Sequence, residues 1–348
     1  MYVCGITPYD ATHVGHAATF LVFDILQRRL IDRGLEPHCV RNVTDVDDDL
    51  LARANEAEVH YLDLAAAALA TFEADLEALG LLPASSEPRA TSAISAVRSV
   101  VGQVLDRGAA YTAGGNVYFD TGHHPGFGRL GRLDRAAMLE LAARRGGRPD
   151  DHLKRDPLDV ILWQRSEAGE PSWGSRWGPG RPGWHVECAA LALRELGSPI
   201  DLHGGGRDLV FPHHESESAM AEAATGGPFV RHWMHVEMVA MAGAKMSKST
   251  GNLAFVSDLR RTWDPMAIRL AILGHHYREP WEWHEDLLDV ASARLERWRG
   301  SRDGDGALDA ARAALDDDLA TPDAVAALDR AVAAGRGVSR AMRLLGLR

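Results

Sequence analysis

The sequence predicts an α/β fold built on a Rossmann-like parallel sheet, with an inserted α+β region and a C-terminal helical domain. The chain opens with an apolar strand at residues 2–4, a helix at 14–33 and a second strand at 38–43. This strand–helix–strand order starts a parallel sheet. Strand-like stretches return at 158–163 and 200–203, whereas the pattern after 256 is helical. We therefore expect the sheet to be interrupted by an insertion and followed by helices.

The first helix repeats apolar residues at helical spacing, and Gly34 is a typical C-terminal stop. Residues 47–82 and 90–107 read as helices, and 133–145 as another that ends at a glycine pair. Residues 111–119 hold Gly114 and Gly115 between apolar runs, a pattern typical of a hairpin. The predicted insertion covers 58–157.

The second half of the predicted catalytic domain alternates strands, loops and helices. Residues 172–183 are rich in Gly, Pro and Trp and predict an ordered loop or a mobile flap. A helix at 185–196 precedes the strand at 200–203, another helix begins near His213, and 232–240 reads as a strand. Residues 303–348 predict either a helical tail or a small bundle. The predicted division is 1–57 and 158–255 for the two catalytic halves, 58–157 for the insertion and 256–348 for the helical region.

Composition narrows the class of protein. The 348 residues are 46% hydrophobic and 25% charged, which is typical of a globular chain with two or three domains. No apolar run approaches a membrane span, and no signal peptide precedes Tyr2. Three cysteines suit a reducing compartment, so we expect a cytoplasmic protein, and a monomer. The net charge of −11 disfavours a broad nucleic-acid surface, although a local basic groove stays open.

Lysine is rare in this chain and concentrated at one place. The 38 lysines and arginines include only three lysines, and Lys245 and Lys248 share the segment KMSKS. A lysine offers a compact, mobile charge that can follow a triphosphate. The alternative is a surface loop with two chance lysines.

Near the other end, His13 and His16 flank Gly15 where a loop meets a helix N-terminus. Helix N-termini favour anions, and two imidazoles add donors, so this is a candidate phosphate site. A pair of exposed capping histidines is the alternative reading.

Cys4, Cys188 and His213 form a candidate Zn²⁺ set, because zinc accepts Cys and His ligands and can keep a position open for a substrate. A substrate thiol would bind such a site as thiolate, and serine would compete poorly. The ligands are far apart in sequence, so three unrelated buried residues remain the alternative.

The segment HVGH near the start, followed much later by KMSKS, resembles the class I aminoacyl-tRNA synthetase family. Residues 41–48 (RNVTDVDD), 181–188 (RPGWHVEC) and 203–214 (HGGGRDLVFPHH) are similar to cysteinyl-tRNA synthetases and equally to the related cysteine:glucosaminyl-inositol ligases of mycothiol biosynthesis. The resemblance covers nearly the whole chain.

This resemblance implies ATP-dependent formation of cysteinyl-adenylate, with one Zn²⁺ per chain and Mg²⁺ accompanying ATP. The implied zinc ligands are Cys4, Cys188 and His213, with Glu217 as a fourth candidate. His13, His16, Lys245 and Lys248 would stabilise the phosphates. The residues implied to bind cysteinyl-adenylate are Cys4, Gly5, Ile6, Thr7, Thr19, Asn42, Val43, Thr44, Trp184, Gly206, Arg207, Asp208 and Val239. No base for the second step follows from the sequence, where His185 and Asp10 are the alternatives.

Two acceptors stay open at this point: the amine of glucosaminyl-inositol and the 3′ end of a tRNA. Residues 4–13 (CGITPYDATH), 16–19 (HAAT) and 144–149 (RRGGRP) resemble the ligases more than the synthetases. The chain ends 100 residues after Lys248 (348 minus 248), which leaves little for an anticodon-binding domain. We therefore expect the ligase, with a cysteinyl-tRNA synthetase or a stand-alone cysteine-adenylating paralogue as the alternative.

Three departures from the family pattern qualify this expectation. Arg144 and Arg148 replace acidic residues, which would alter the acceptor pocket, and the ligases need not fill the position of Glu217 with an acid. Cys4 lies almost at the N-terminus, so the start is misplaced or the first strand is weakly anchored.

Overall fold

The computed structural model describes residues 1–9, 11–246 and 252–348. The chain forms two compact units. Unit 1 comprises Met1–Tyr9, Cys39–Ala66 and Ala84–Met234, and unit 2 comprises Asp10–His38, Ala67–Pro83 and His235–Arg348, apart from the residues outside the described part. The division expected from the sequence, into two catalytic halves, an insertion and a helical region, was drawn on different grounds from these units and stays a prediction.

Strands and helices are interspersed up to residue 282 of the described chain, and helices follow. The strands are β1 (Tyr2–Ile6), β2 (Val40–Val43), β3 (Ala110–Ala113), β4 (Asn116–Phe119), β5 (Val160–Gln164), β6 (Arg181–Pro182), β7 (Ile200–Gly206), β8 (Val230–Val236), β9 (Val239–Met241), β10 (Ala244–Lys245) and β11 (Trp281–Glu282). The helices are α1 (Val14–Asp32), α2 (Asp48–Glu56), α3 (Tyr61–Ala78), α4 (Ile94–Asp106), α5 (Arg135–Arg144), α6 (Trp184–Leu196), α7 (Glu215–Thr225), α8 (Val256–Leu259), α9 (Pro265–Leu273), α10 (Asp286–Arg299), α11 (Leu308–Asp316), α12 (Thr321–Ala333) and α13 (Ser339–Leu344).

The central sheet of unit 1 has the order β2-β1-β7-β8, and β1 pairs in parallel with both β2 and β7. This confirms the predicted fold class. β1 is well anchored, because it is hydrogen-bonded on both sides and Tyr2 is fully buried. The strand predicted at 200–203 runs on to Gly206, since glycines without side chains let the strand continue into a crowded site.

A second sheet in unit 1 is antiparallel, with the order β3-β4-β5-β6. The predicted hairpin is confirmed: β3 and β4 are joined by Gly114 and Gly115, both at positive φ. β5 and β6 extend this sheet to residue 182, past the point where the sequence predicted the insertion to end. The predicted loop at 172–183 is therefore tied to a sheet at its end.

Helices α4, α6 and α7 pack against one another, and their apolar faces form one core with β4 and β5. The largest members of this core are Trp163, Phe119, Met220 and Leu162. A second core surrounds the parallel sheet and buries Tyr2, Cys4, Val40, Cys188 and Ile200. α6 contributes to both cores, which fixes the helix that carries Cys188.

Two sequence predictions were wrong because each of them treated two separate elements as one. The helix predicted over 47–82 is two helices, because α2 ends at Glu56 and Glu58 takes a left-handed conformation with φ of 53°. The strand predicted over 232–240 is likewise split between β8 and β9. Neither break contains a Gly or Pro, so periodicity alone gave no sign of it.

In unit 2, β9 pairs with β10 in antiparallel and with β11 in parallel. β11 contradicts the prediction that no strand follows residue 256; it is two residues long, too short for a pattern to show. The C-terminal stretch is a packed bundle rather than a tail, since α11, α12 and α13 bury apolar residues such as Leu315, Leu328 and Leu344. Within the described residues, no helix combines the length and the apolarity needed to cross a membrane.

A buried ion pair joins distant segments of unit 2. Arg269 is fully buried and donates hydrogen bonds to the carbonyls of Leu345, at 2.8 Å, and Leu79, at 3.1 Å, and to the carboxylate of Asp24. Burial by itself raises the pKa of Asp24, but Arg269 and Arg28 outweigh it, so the net pKa is lowered. The pair thus ties α1 and α9 to the C-terminal end of the chain.

Replacing this arginine, as Arg269→Ala, is expected to cost about 3–5 kcal/mol of unfolding free energy, because it leaves a buried carboxylate and two carbonyls without their donor. The Asp24 contribution is present above its unfolded pKa and is lost as pH falls through its lowered folded pKa. The gap between wild type and variant should therefore narrow below about pH 4. Urea unfolding followed by circular dichroism measures both effects.

Arg261→Ala, which removes an exposed pair with Asp258, is the matched control and should cost less than about 1 kcal/mol. Equal costs for the two variants would contradict the role given to Arg269.

Candidate active site

The candidate cysteine-binding residues of unit 1 lie on the central strands β1 and β2 and just beyond them. The Gly5 amide donates to Asn42 Oδ1 at 2.9 Å, and the Thr44 amide donates to the Ile6 carbonyl at 2.9 Å. A Cβ on Gly5 would lie 1.7 Å from the Asn42 carbonyl oxygen, so only glycine fits there. Close pairing of these strands therefore brings the candidates Gly5, Ile6, Asn42, Val43 and Thr44 together.

Four potential metal ligands converge in the core of unit 1. Cys4 on β1, Cys188 on α6, His213 in the tight turn before α7 and Glu217 on α7 place one ligand atom each within 4.8 Å of all the others. All four side chains are buried. His213 Nε2 lies 3.0 Å from Glu217 Oε1, and Cys4 Sγ lies 3.5 Å from the same oxygen.

This donor set fits zinc. Zinc bonds of about 2.0–2.3 Å place ligand atoms roughly 3.3–3.8 Å apart on a tetrahedron, and Cys, His and carboxylate are its usual ligands. Among the described residues, Glu217 meets only histidine as a basic partner. A buried acid without a cation is costly, and a divalent ion would supply that cation.

Burial favours the neutral forms of ionisable groups in this cluster. Burial raises the pKa of the Cys4 thiol and of the Glu217 carboxyl. Burial also lowers the pKa of His213, and His185 adds to this. His185 Nδ1 lies 2.7 Å from His213 Nδ1, which orients the ring so that Nε2 points to the cluster.

Two further histidines border the cluster, and sequence reasoning missed both. His203 Nε2 lies 3.1 Å from Glu217 Oε2, and its Nδ1 has no hydrogen-bond partner in the described part of the chain. Cys4, His203 and His214 form a second potential three-ligand group that shares Cys4. The sequence signal that could have identified them is the histidine at each end of the segment HGGGRDLVFPHH. That segment had been interpreted only as a family resemblance.

Trp184 begins α6, the helix that carries Cys188, and Thr7 follows β1, the strand that carries Cys4. The Trp184 indole stacks on His213, with ring centroids 4.2 Å apart. The Thr7 hydroxyl donates to Asp47 Oδ2 at 2.9 Å. The indole ring of Trp184 and the hydroxyl of Thr7 are thus both held in place by contacts within unit 1.

The candidate adenylate residues Gly206, Arg207 and Asp208 follow β7 directly. Arg145, at the end of α5, donates hydrogen bonds to the carbonyls of Asp208 and Phe211. Its guanidinium therefore holds the turn between β7 and His213. Sequence reasoning treated 144–149 only as a family segment and did not identify this contact.

The candidate phosphate residues belong to unit 2. His13 is the N-cap of α1, its Nδ1 accepts from the His16 amide at 3.3 Å, and the two imidazoles stack with centroids 3.7 Å apart. A Cβ on Gly15 would lie 2.9 Å from the His13 ring, so glycine permits this stacking. Thr19, one turn later, donates to the Gly15 carbonyl at 3.2 Å. The structure thus brings the two predicted histidines together at a helix N-terminus.

The other unit 2 candidates lie on the β9–β10 hairpin. Val239 is buried on β9, and Lys245 on β10 pairs with Ala240. The Met246 amide donates to the Val239 carbonyl at 3.1 Å, which places the start of KMSKS against β9. Lys248 lies outside the described residues.

Comparison with known proteins gives the family. The model of the class I (C) tRNA synthetase catalytic domain family matches residues 1–293. The chain is 48% identical over 336 residues to an L-cysteine:1D-myo-inositol 2-amino-2-deoxy-alpha-D-glucopyranoside ligase of Nocardiopsis dassonvillei, covering 94% of this chain and 83% of the relative. Ligases of the same name from Frankia alni and Streptomyces avermitilis are each 50% identical, over 94% and 95% of this chain and 82% and 83% of theirs.

Solved structures agree on the fold. Methionyl-tRNA synthetase of Mycobacterium tuberculosis, in complex with methionyl-adenylate, superposes with a TM-score of 0.70 over 99% of this chain and 87% of its own, at 16% identity. A leucyl-tRNA synthetase of Agrobacterium radiobacter gives 0.64 over 99% and 82%, at 12% identity. At these identities the likeness supports the class I fold alone.

Removing the Arg145 side chain, as Arg145→Ala, is expected to speed amide hydrogen exchange at residues 208–214 by about tenfold or more, since two carbonyls lose a charged donor. Exchange followed by mass spectrometry measures this directly. Arg144→Ala is the matched control, because the exposed Arg144 pairs, within the described part of the chain, with Glu140 on its own helix. Equal exchange in the two variants would show that Arg145 does not hold the turn.

Proposed function

The chain belongs to the class I (C) synthetase family and, within it, to the L-cysteine:1D-myo-inositol 2-amino-2-deoxy-alpha-D-glucopyranoside ligases, and from this membership we propose its reaction and the residues that perform it. It is an ATP-dependent ligase that activates L-cysteine and joins it to the amine of glucosaminyl-inositol, a step of mycothiol biosynthesis. The relatives' names do not favour the alternative, a tRNA-charging enzyme.

The observation that carries the choice of cysteine is the buried group of Cys4, Cys188, His213 and Glu217. A cluster with two thiols suits a soft metal ion, and such an ion selects a thiol over the hydroxyl of serine. We propose that these four residues hold one Zn²⁺, with Cys4, Cys188 and His213 as ligands and Glu217 as the fourth candidate. When bound, Zn²⁺ would supply a positive centre that keeps a substrate thiol deprotonated.

The protein's own groups orient the amino acid around that centre. Trp184, Thr44 and Thr7 are proposed to line the cysteine pocket, and His185 orients the ring of His213. Gly206, Arg207 and Asp208 are proposed to bind the adenylate, together with the backbone at Val239. Arg145 holds the 207–211 turn in shape.

The first step is attack of the cysteine carboxylate on the α-phosphate of ATP, which releases pyrophosphate. His13 and His16, with Lys245 and Lys248, are proposed to stabilise charge on the phosphates, and Mg²⁺ accompanies ATP. This is catalysis by position and electrostatics, without an enzyme nucleophile. The stacked imidazoles at the start of α1 support the proposal because donors and the helix dipole point the same way.

In the second step the acceptor amine attacks the carbonyl of cysteinyl-adenylate, an amide forms and AMP leaves. Because the reaction needs ATP and a reduced thiol, we place it in the cytoplasm. The monomeric state stays a prediction.

The zinc-loaded protein is expected to catalyse cysteine-dependent exchange of pyrophosphate into ATP and to form an amide with glucosaminyl-inositol. Radiolabel exchange measures the first step, and mass spectrometry of the thiol product measures the second. Serine should support exchange at least about a hundredfold less well, since it lacks a thiol.

Cysteinylation of tRNA without amide formation would contradict the proposed acceptor. Exchange that is lost altogether would contradict the activation step as well. The two failures are distinct, because exchange needs no acceptor.

A further inference from the structure

Asp47 is a carboxylate at the border of the candidate cysteine pocket. It caps α2, where its Oδ1 accepts from the Leu50 amide at 2.7 Å, and its Oδ2 accepts from the Thr7 hydroxyl at 2.9 Å. A carboxylate offers about four acceptor positions, and these contacts use two. Asp47 is partly exposed, unlike Cys4 and Cys188, so an incoming molecule can reach it.

Glu187 lies behind Asp47 and has no ordinary structural explanation. It is fully buried on α6, and among the described residues neither of its carboxylate oxygens has a hydrogen-bond partner. Burial raises its pKa, and the charge of Asp47 nearby is the next cause. A buried carboxyl group without a hydrogen-bond partner is costly, and a donor from outside the chain would satisfy it.

The arginine whose charge acts on Glu187 already has carboxylate partners of its own. Arg181 is buried and pairs with Asp48 and with Glu170, at 3.2 Å from the latter. Asp45 is bonded to Thr91, and Asp48 and Asp49 add negative charge beside Asp47. The site is therefore negative overall and matches a ligand ammonium group.

Two ammonium groups enter the proposed reaction, that of cysteine and that of the acceptor. Asp47 is not part of the metal-ligand group that would hold the cysteine thiol, and its exposure suits a substrate that arrives second. Burial raises the pKa of Asp47 to about 6, a value that suits proton transfer near neutral pH. These observations favour the acceptor.

We propose that Asp47, with Glu187 behind it, binds the ammonium group of the sugar acceptor and removes its proton as the general base of the second step. This rests on the proposed function and names the base that the sequence left open. One proton passes from the ammonium to Asp47 and on to solvent. The freed nitrogen pair attacks the carbonyl carbon, the C–N bond forms, the C–O bond to phosphate breaks, and the second proton leaves with the AMP phosphate.

The two residues that the sequence suggested as the base, His185 and Asp10, are weaker candidates. His185 is buried and bonded through Nδ1 to His213, so its ring is engaged in orienting a ligand. Asp10 lies outside the described residues.

Asp47→Asn tests this assignment, because Asn keeps the helix cap while losing the charge. Cysteine-dependent pyrophosphate exchange should stay within about threefold of wild type, whereas amide formation with glucosaminyl-inositol should fall about a hundredfold or more. Hydroxylamine is largely unprotonated at neutral pH, so its capture of the adenylate as cysteine hydroxamate should also stay within about threefold. This separation follows from losing a group that binds and deprotonates the sugar ammonium, because hydroxylamine needs neither.

Two further variants make the result decisive. Asp47→Glu keeps a carboxylate and should retain more amide formation than Asp47→Asn, and Glu56→Gln, at an exposed acid at the other end of α2, should leave both steps near wild type. Equal amide formation by wild type and Asp47→Asn would overturn the assignment. Parallel loss of exchange and of hydroxamate would overturn it too, by placing Asp47 in cysteine activation. If wild type exchanged pyrophosphate but made no amide, the proposed acceptor itself would fail.

Discussion

The constraint on which unit 1 depends is the burial of ionisable side chains in its core. Cys4, Cys188, His213 and Glu217 sit where an ordinary domain would place apolar side chains. Burying groups of this kind costs free energy unless something compensates them. We infer that the fold tolerates them because a metal ion completes the cluster, and the neighbouring histidines His185 and His203 are then its supporting contacts.

This constraint explains features of the sheet that would otherwise look unfavourable. The glycines at the end of β7 and at Gly5 give up side-chain packing so that neighbouring strands and side chains can approach closely. The tight turn between β7 and α7 brings His213 to the cluster, and Arg145 fixes that turn from another element. A glycine permits a similarly close approach in unit 2, where Gly15 lets two imidazoles stack at the start of α1.

The sequence predicted what depends on local pattern. The parallel start of the sheet, α1 and the β3–β4 hairpin followed from periodicity and from Gly34, Gly114 and Gly115. It could not predict the break after α2, where Glu58 adopts a left-handed conformation without a glycine, or the pairing of β5 with β4. The ligand candidates came from residue chemistry and resemblance. Arg145, Glu187 and His203 escaped because their importance lies in contacts between segments distant in sequence.

The central claim is that the buried cluster holds a zinc ion that binds the substrate thiol. Zinc K-edge X-ray absorption of the purified protein, recorded with and without L-cysteine, tests it most directly. We predict two sulfur neighbours at about 2.3 Å without cysteine and three with it, and one sulfur fewer in each state for Cys188→Ala if it still binds zinc. A zinc shell that cysteine leaves unchanged, or a protein that binds no zinc, would contradict the account.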